Sequence, residues 1–290
     1  MSAPAAGVVA PGTPWPGRVA ADAVAPVLPE RRVAILRRII AAFVVIDVLA
    51  ISNDVLAHAH TPEFYRPMML ARLLHLPAVT TPIAATLLAV IVLAGILGAL
   101  GRAPRATGWA LAVAFWIWMA YSQGYGYVSH DHLALMVAVA VLPMAGPCRT
   151  DPRAASRFAG WSLRAIQLAV VATYFLSVVS KTVISGSPIT WANSAVFAFA
   201  FIRRGAPWVR WMLEHPWLFV PAQWTLLALE TLSPLALVLR GRALSVLIGI
   251  FAAFHLATFV ALGIHFLPTV VCWAAFLPLE TMGRGRRARD

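Results

Sequence analysis

Apolar stretches of membrane-spanning length recur along this chain, and no other feature narrows its possible folds as much. They fall at about 33–53, 82–100, 107–127, 132–145, 161–183, 218–239, 243–262 and 265–280. A helix needs roughly 20 mostly apolar residues to cross the hydrocarbon layer, and only helices and closed barrels satisfy their backbone there. With 61% hydrophobic and 12% charged residues and a mean hydropathy of +0.80, an ordinary soluble domain is excluded. The expected fold is all-α, a polytopic transmembrane helical bundle of about eight spans.

The net charge of +12 comes from 22 arginines and one lysine set against 11 acidic residues. The arginines stand in short clusters between apolar spans rather than on one soluble face, so they read as topology signals and not as a nucleic-acid surface. With the N-terminus inside and eight spans, 17 Lys and Arg fall on the cytoplasmic side and 6 on the outer side. That asymmetry predicts both termini in the cytoplasm of a multi-pass protein of the cell membrane, with the lipid bilayer as its first partner. Residues 1–30, with six prolines and no basic start, read as a disordered cytoplasmic tail rather than a signal peptide. Residues 31–281 form the transmembrane domain, and 282–290 a basic cytoplasmic tail. The polar segment 54–81 is expected to be an outer loop with a short interfacial helix. The Trp-rich segment 184–217 is expected to hold an amphipathic helix over 191–203. Trp116, Trp118, Tyr121, Tyr125 and Tyr127 suit an aromatic belt at the outer interface.

Lys181 is the only lysine and lies near the end of the fifth span. An ionisable group there must reach water, find a partner or do chemistry, and a primary amine can give up its proton where a guanidinium cannot. The plainer reading is that Lys181 snorkels to the interface and anchors the helix end. The eight-span topology sets it on the same outer face as Ser129, His130, Asp131 and His132, at the turn between spans three and four. A carboxylate beside imidazoles can orient and tune them, so His130, Asp131 and Lys181 could pass a proton; equally, Asp131 could cap the next helix. Glu230 and His255 lie midway along spans six and seven and are expected to pair as structural support, with a proton path or quinone contact as the functional alternative. Asp47 could join that interior network, and His265 is placed at the outer rim. His130 and His132 are two apart and do not face one way on a helix, so no metal site is expected. One securely intramembrane histidine does not make a haem protein. Cys148 and Cys272 form no disulfide framework or zinc site, and phosphate-loop, GxSxG and HExxH motifs do not occur.

These residues also form a pattern. Tyr174-Phe175 before Lys181 and Trp191, Ser129-His130-Asp131-His132-Leu133, Leu229-Glu230 with Pro234, and His255-Leu256 through Gly263 to Phe266 resemble the HTTM family, the membrane domain shared with vitamin K-dependent gamma-carboxylase. The likeness extends over about residues 31–280. It implies Lys181 as a base toward a quinone or hydroquinone and His130 as acid or orienting group, with Asp131, His132, Glu230 and His255 as supporting polar residues. Three features depart from the pattern. Ten positions separate Lys181 from Trp191, Ser129 stands where the family has asparagine, and the chain ends soon after the last span. They count against gamma-glutamyl carboxylation of a peptide and leave carboxylase-like or quinone-dependent activity as the expectation. The rival from another class is a non-enzymatic maturation or immunity partner of a secreted peptide. A small-molecule transporter is less favoured, since no inverted repeat is visible.

Overall fold

The computed structural model describes residues 22–126, 128–148, 151 and 153–282. Most of the expected N-terminal tail, the basic tail from 283 on, Tyr127 and Arg149 lie outside the described residues. The architecture is all-α, with one two-residue antiparallel bridge, Leu28–Pro29 against Ala155–Ser156. The longer helices are α1 (Glu30–Ile46), α2 (Thr81–Ala99), α3 (Pro104–Ser122), α4 (Leu133–Val141), α5 (Arg157–Ser185), α6 (Ala195–Arg204), α7 (Phe219–Leu232), α8 (Gly241–Leu262) and α9 (Leu267–Cys272).

Among the described residues three helices, α2, α5 and α8, are long and apolar enough to cross a membrane. This is fewer than the eight spans expected. The other apolar stretches do become helical, but in shorter or interrupted form. The stretch 33–53 changes from α1 into a π-helical turn over Asp47–Ile51. The fourth and eighth stretches give apolar helices over His130–Ala145 and Leu267–Phe276. Large apolar side chains such as Leu93, Val183, Ile184, Val246 and Leu256 point away from the protein, more than a soluble fold tolerates. Together with the three long apolar helices, they point to a membrane protein.

α1, α2 and α3 pack in succession on one another, while α5 contacts α4, α7 and α9. Its start is specified locally, because the Ser156 hydroxyl accepts from the Ala159 N–H at 3.2 Å. Its end is set by Gly186, whose φ of +78° suits glycine best. At about 1.5 Å per residue its 29 residues extend roughly 43 Å, longer than a hydrocarbon layer. Glycines let α1 and α2 approach closely, since a Cβ at Gly95 or Gly98 would press on Val45 or Ala41. Arg32 clasps Glu280 through two 2.6 Å bonds and ties the two ends of the fold together. Arg37, counted as a topology signal, is instead buried and donates to the carbonyls of Leu142 and Gly146 at 2.8 Å each. A guanidinium has five N–H donors, so it can fasten the carbonyls at a helix end.

The segment 54–81 holds short turns of helix over Val55–His58, Pro62–Phe64 and Met69–Leu73. Here the aromatic expectation is corrected. Trp118 and Tyr121 are buried in the core rather than set in an interfacial belt, and Trp118 Nε1 donates to the Ser52 carbonyl at 2.7 Å. Trp116 Nε1 donates to the Met136 carbonyl and the Tyr125 hydroxyl to that of His58. Each of these polar atoms thus bonds a backbone carbonyl of a neighbouring segment, which is why these rings can face inward. The amphipathic helix forms over 195–204 rather than 191–203, because Pro188–Trp191 makes a separate turn and Asn193 and Ser194 break the chain between them.

Candidate functional site

A cavity of about 550 Å³ lies between α5, α6, α7 and α8. Its wall is largely apolar, built from residues such as Phe197, Phe201, Leu226 and Phe254. α8 packs only lightly on its neighbours, so the space between it and α5 and α7 stays open. The polar side chains on the wall include Lys181, His130, Glu230, His255, Tyr174 and Ser177. Four of these were singled out in the sequence, and they arrive from four separate elements.

The pairing inside the cavity differs from the expected one. Lys181 Nζ donates to Glu230 Oε2 at 2.5 Å, and the Ser177 hydroxyl reaches Glu230 Oε1 at 3.4 Å. Nζ also lies 5.0 Å from the centre of the Trp191 ring. The lysine therefore does not snorkel free of the fold, and its side chain is 19% exposed. Tyr174, Ser177 and Lys181 follow one another at spacings of three and four, which sets them on one face of α5. Glu230 thus pairs with Lys181 rather than with His255. His255 bonds Tyr174 instead, with its Nε2 2.6 Å from the hydroxyl. Trp273 Nε1 donates to that same hydroxyl at 3.1 Å. An indole N–H can only donate, so the Tyr174 oxygen accepts from Trp273 while its hydroxyl shares a second hydrogen bond with His255 Nε2.

His130 sits on the 3₁₀ turn His130–His132, shares the cavity wall with Lys181 and meets Phe266 with ring centres 6.2 Å apart. Its two neighbours face elsewhere. His132 Nδ1 lies 3.2 Å from Asp131 Oδ1, and its Nε2 lies 3.0 Å from Asp47 Oδ1. Asp47 in turn accepts from the Ser52 hydroxyl at 2.7 Å, and Thr269 Oγ1 donates to the Asp131 carbonyl at 2.6 Å. A carboxylate oxygen faces each ring nitrogen of His132, so the ring lies between two acidic side chains that can hold it as an imidazolium. Asp131 therefore serves His132 rather than capping α4, whose start has no side-chain cap. Asp47 belongs to this cluster and not to the Glu230 and His255 region. The cluster borders a second, more polar cleft of about 280 Å³, also lined by Asp54, Arg204 and His265. The π-turn over Asp47–Ile51 makes this possible, because a π-bulge turns side chains out of α-helical register.

In the segment 54–81, partial burial holds the His58 imidazole below its ordinary value, with Asp54 pulling the other way. Its ring stacks on Tyr125 at 3.9 Å. Both cysteines are free, and among the described residues no group of three or more His, Cys, Asp or Glu side chains is placed to hold a metal ion. Ser177, Trp191 and Trp273 were not singled out as functional residues from the sequence. The three- and four-residue spacing back from Lys181 could have found Ser177, but nothing local announces Trp273.

The arrangement places one ion pair, one further imidazole and a tyrosine–histidine pair on the wall of an apolar chamber. It can hold an oily molecule by its body and exchange a proton with its polar end. Comparison with family models, with curated proteins and with solved structures gives no match to this chain.

Proposed function

We propose that the chain is a multi-pass integral membrane protein of HTTM type, related to the membrane domain of vitamin K-dependent gamma-carboxylase. In this reading it acts on a quinone, hydroquinone or other lipid-soluble substrate held in the α5–α8 cavity. The Lys181–Glu230 pair and His130 handle the substrate's proton, while Tyr174 and Trp273 fix His255. The shorter apolar stretches complete an eight-span topology with both termini in the cytoplasm of the cell membrane. The observation that carries the reading is the convergence of the sole lysine with Glu230, His130 and His255 on one oily chamber large enough for a small ligand. Apolar walls suit the body of such a substrate, and a chamber flanked by the lightly packed α8 suits entry from lipid.

The test is saturable binding of menadione, followed by tryptophan fluorescence in detergent. Wild type should saturate, and Ala200→Trp, which fills the chamber from α6, should weaken binding at least tenfold. Linear, unsaturable partitioning, equal in both proteins, would overturn the proposal.

A further inference from the structure

The contacts of Lys181 determine which member of the pair has a lone pair to offer. Its Nζ lies against a carboxylate oxygen at 2.5 Å and 5.0 Å from the centre of an indole ring. Both contacts favour the ammonium form: the first as a charge-assisted hydrogen bond, the second as a cation over a π face. An ammonium group has three donors and no acceptor, so as it stands it cannot take up a proton. Glu230 is placed the other way. One oxygen faces Lys181, and the other has, among the described residues, the long 3.4 Å contact from Ser177, which leaves it acceptor capacity.

Resting on the proposed cavity reading, we infer that Glu230 is the proton acceptor of this site and that Lys181 is the cation that holds the anion formed. The ligand is a lipophilic molecule bearing one ionisable hydroxyl. In the step, the ligand O–H bond breaks, its proton goes to a Glu230 oxygen, and the electron pair stays on the ligand oxygen, which pairs with the Lys181 ammonium. The charges balance. Before the step the site holds one anion, Glu230, and one cation. Afterwards it holds one anion, now the ligand, and the same cation. In an apolar chamber this conservation matters, because an uncompensated charge there is costly. The role of base thus moves from the lysine to the carboxylate opposite it on α7, and the lysine acts through its charge.

The two assignments separate in an experiment with 2-hexyl-4-nitrophenol, a lipophilic phenol whose absorbance changes on ionisation. The probe is bound to the purified protein at a pH where free probe is neutral, and infrared difference spectra are recorded with the visible spectra. Wild type should bind the probe as phenolate, and a protonated-carboxyl band should appear on binding. Lys181→Arg, which keeps the charge but cannot give up its proton, should retain both signals. Glu230→Gln should lose the carboxyl band while its fluorescence-detected melting stays cooperative. Phenolate without a new carboxyl band in wild type, or loss of ionisation in folded Lys181→Arg, overturns the assignment alone. Failure of wild type to bind the probe removes the cavity reading itself and the assignment with it.

Discussion

Replacing Asp47 by alanine tests whether the His132 imidazolium is held by two carboxylates. Asp47 is fully buried, and the His132 side chain is 4% exposed. The substitution removes the acceptor at 3.0 Å from Nε2 and strands the Ser52 hydroxyl, so a buried cation is left with only Asp131 at 3.2 Å. Breaking a buried pair from one side costs about 3–5 kcal/mol. At roughly 2–4 °C per kcal/mol for a chain somewhat smaller than this one, the lower bound gives a fall in Tm of about 6–12 °C. The assay is tryptophan-fluorescence melting in detergent, run as a cycle with His132→Ala and the double variant. Once the ring is gone the carboxylate has lost its partner, so the double variant should cost less than the sum of the singles by about 0.5–3 kcal/mol. A loss under about 1 kcal/mol in Asp47→Ala, or strict additivity, would refute the claim that the pair is one unit.

Other outcomes follow from the same geometry. Trp273→Phe removes the donor to Tyr174 and leaves the ring volume largely filled; it should lower stability by about 1–2 kcal/mol in chemical denaturation. Gly95→Leu should prevent α1 and α2 from closing and reduce the yield of monodisperse protein in size-exclusion chromatography. Arg32→Ala should loosen the turn Leu279–Thr281, read as faster proteolysis near residue 280 with little change in the cavity. Within the segment 54–81 the folded state disfavours charging His58. Its contribution is present above the ordinary value of 6.5 and is lost as pH falls from there through the lower folded value, so His58→Gln should flatten the Tm profile on the acid side.

Much of the helical frame was legible because apolar length is a local property. The ranges read for the second, fifth and seventh stretches match α2, α5 and α8 to within a few residues at most ends. The π-turn at Asp47 was not, since nothing in AAFVVIDVLAIS distinguishes a helix that changes pitch from one that continues. At the site, Lys181 and His130 stood out because polar groups in apolar surroundings need a reason, and both do reach one cavity. Pairings were harder. Glu230 lies as plausibly opposite His255 as opposite Lys181 until the rotation of α7 about its axis is known. That rotation depends on packing against α5, a long-range property. The role of Asp131 failed for a similar reason: helix-start chemistry suggested a cap, while a neighbouring imidazolium made a stronger claim on the carboxylate.

The central claim is that Lys181 sits in a ligand chamber rather than at a bare interface. As the sole lysine, it can be followed by site-resolved mass spectrometry after amine-reactive labelling of the detergent-solubilised protein at fixed pH, with and without reduced menadione. Slow labelling that becomes at least tenfold slower with the reduced quinone, and that loses this protection in Ala200→Trp, is the predicted result. Rapid labelling at the rate of a free amine, indifferent to the quinone, would contradict it and leave Lys181 as an anchor.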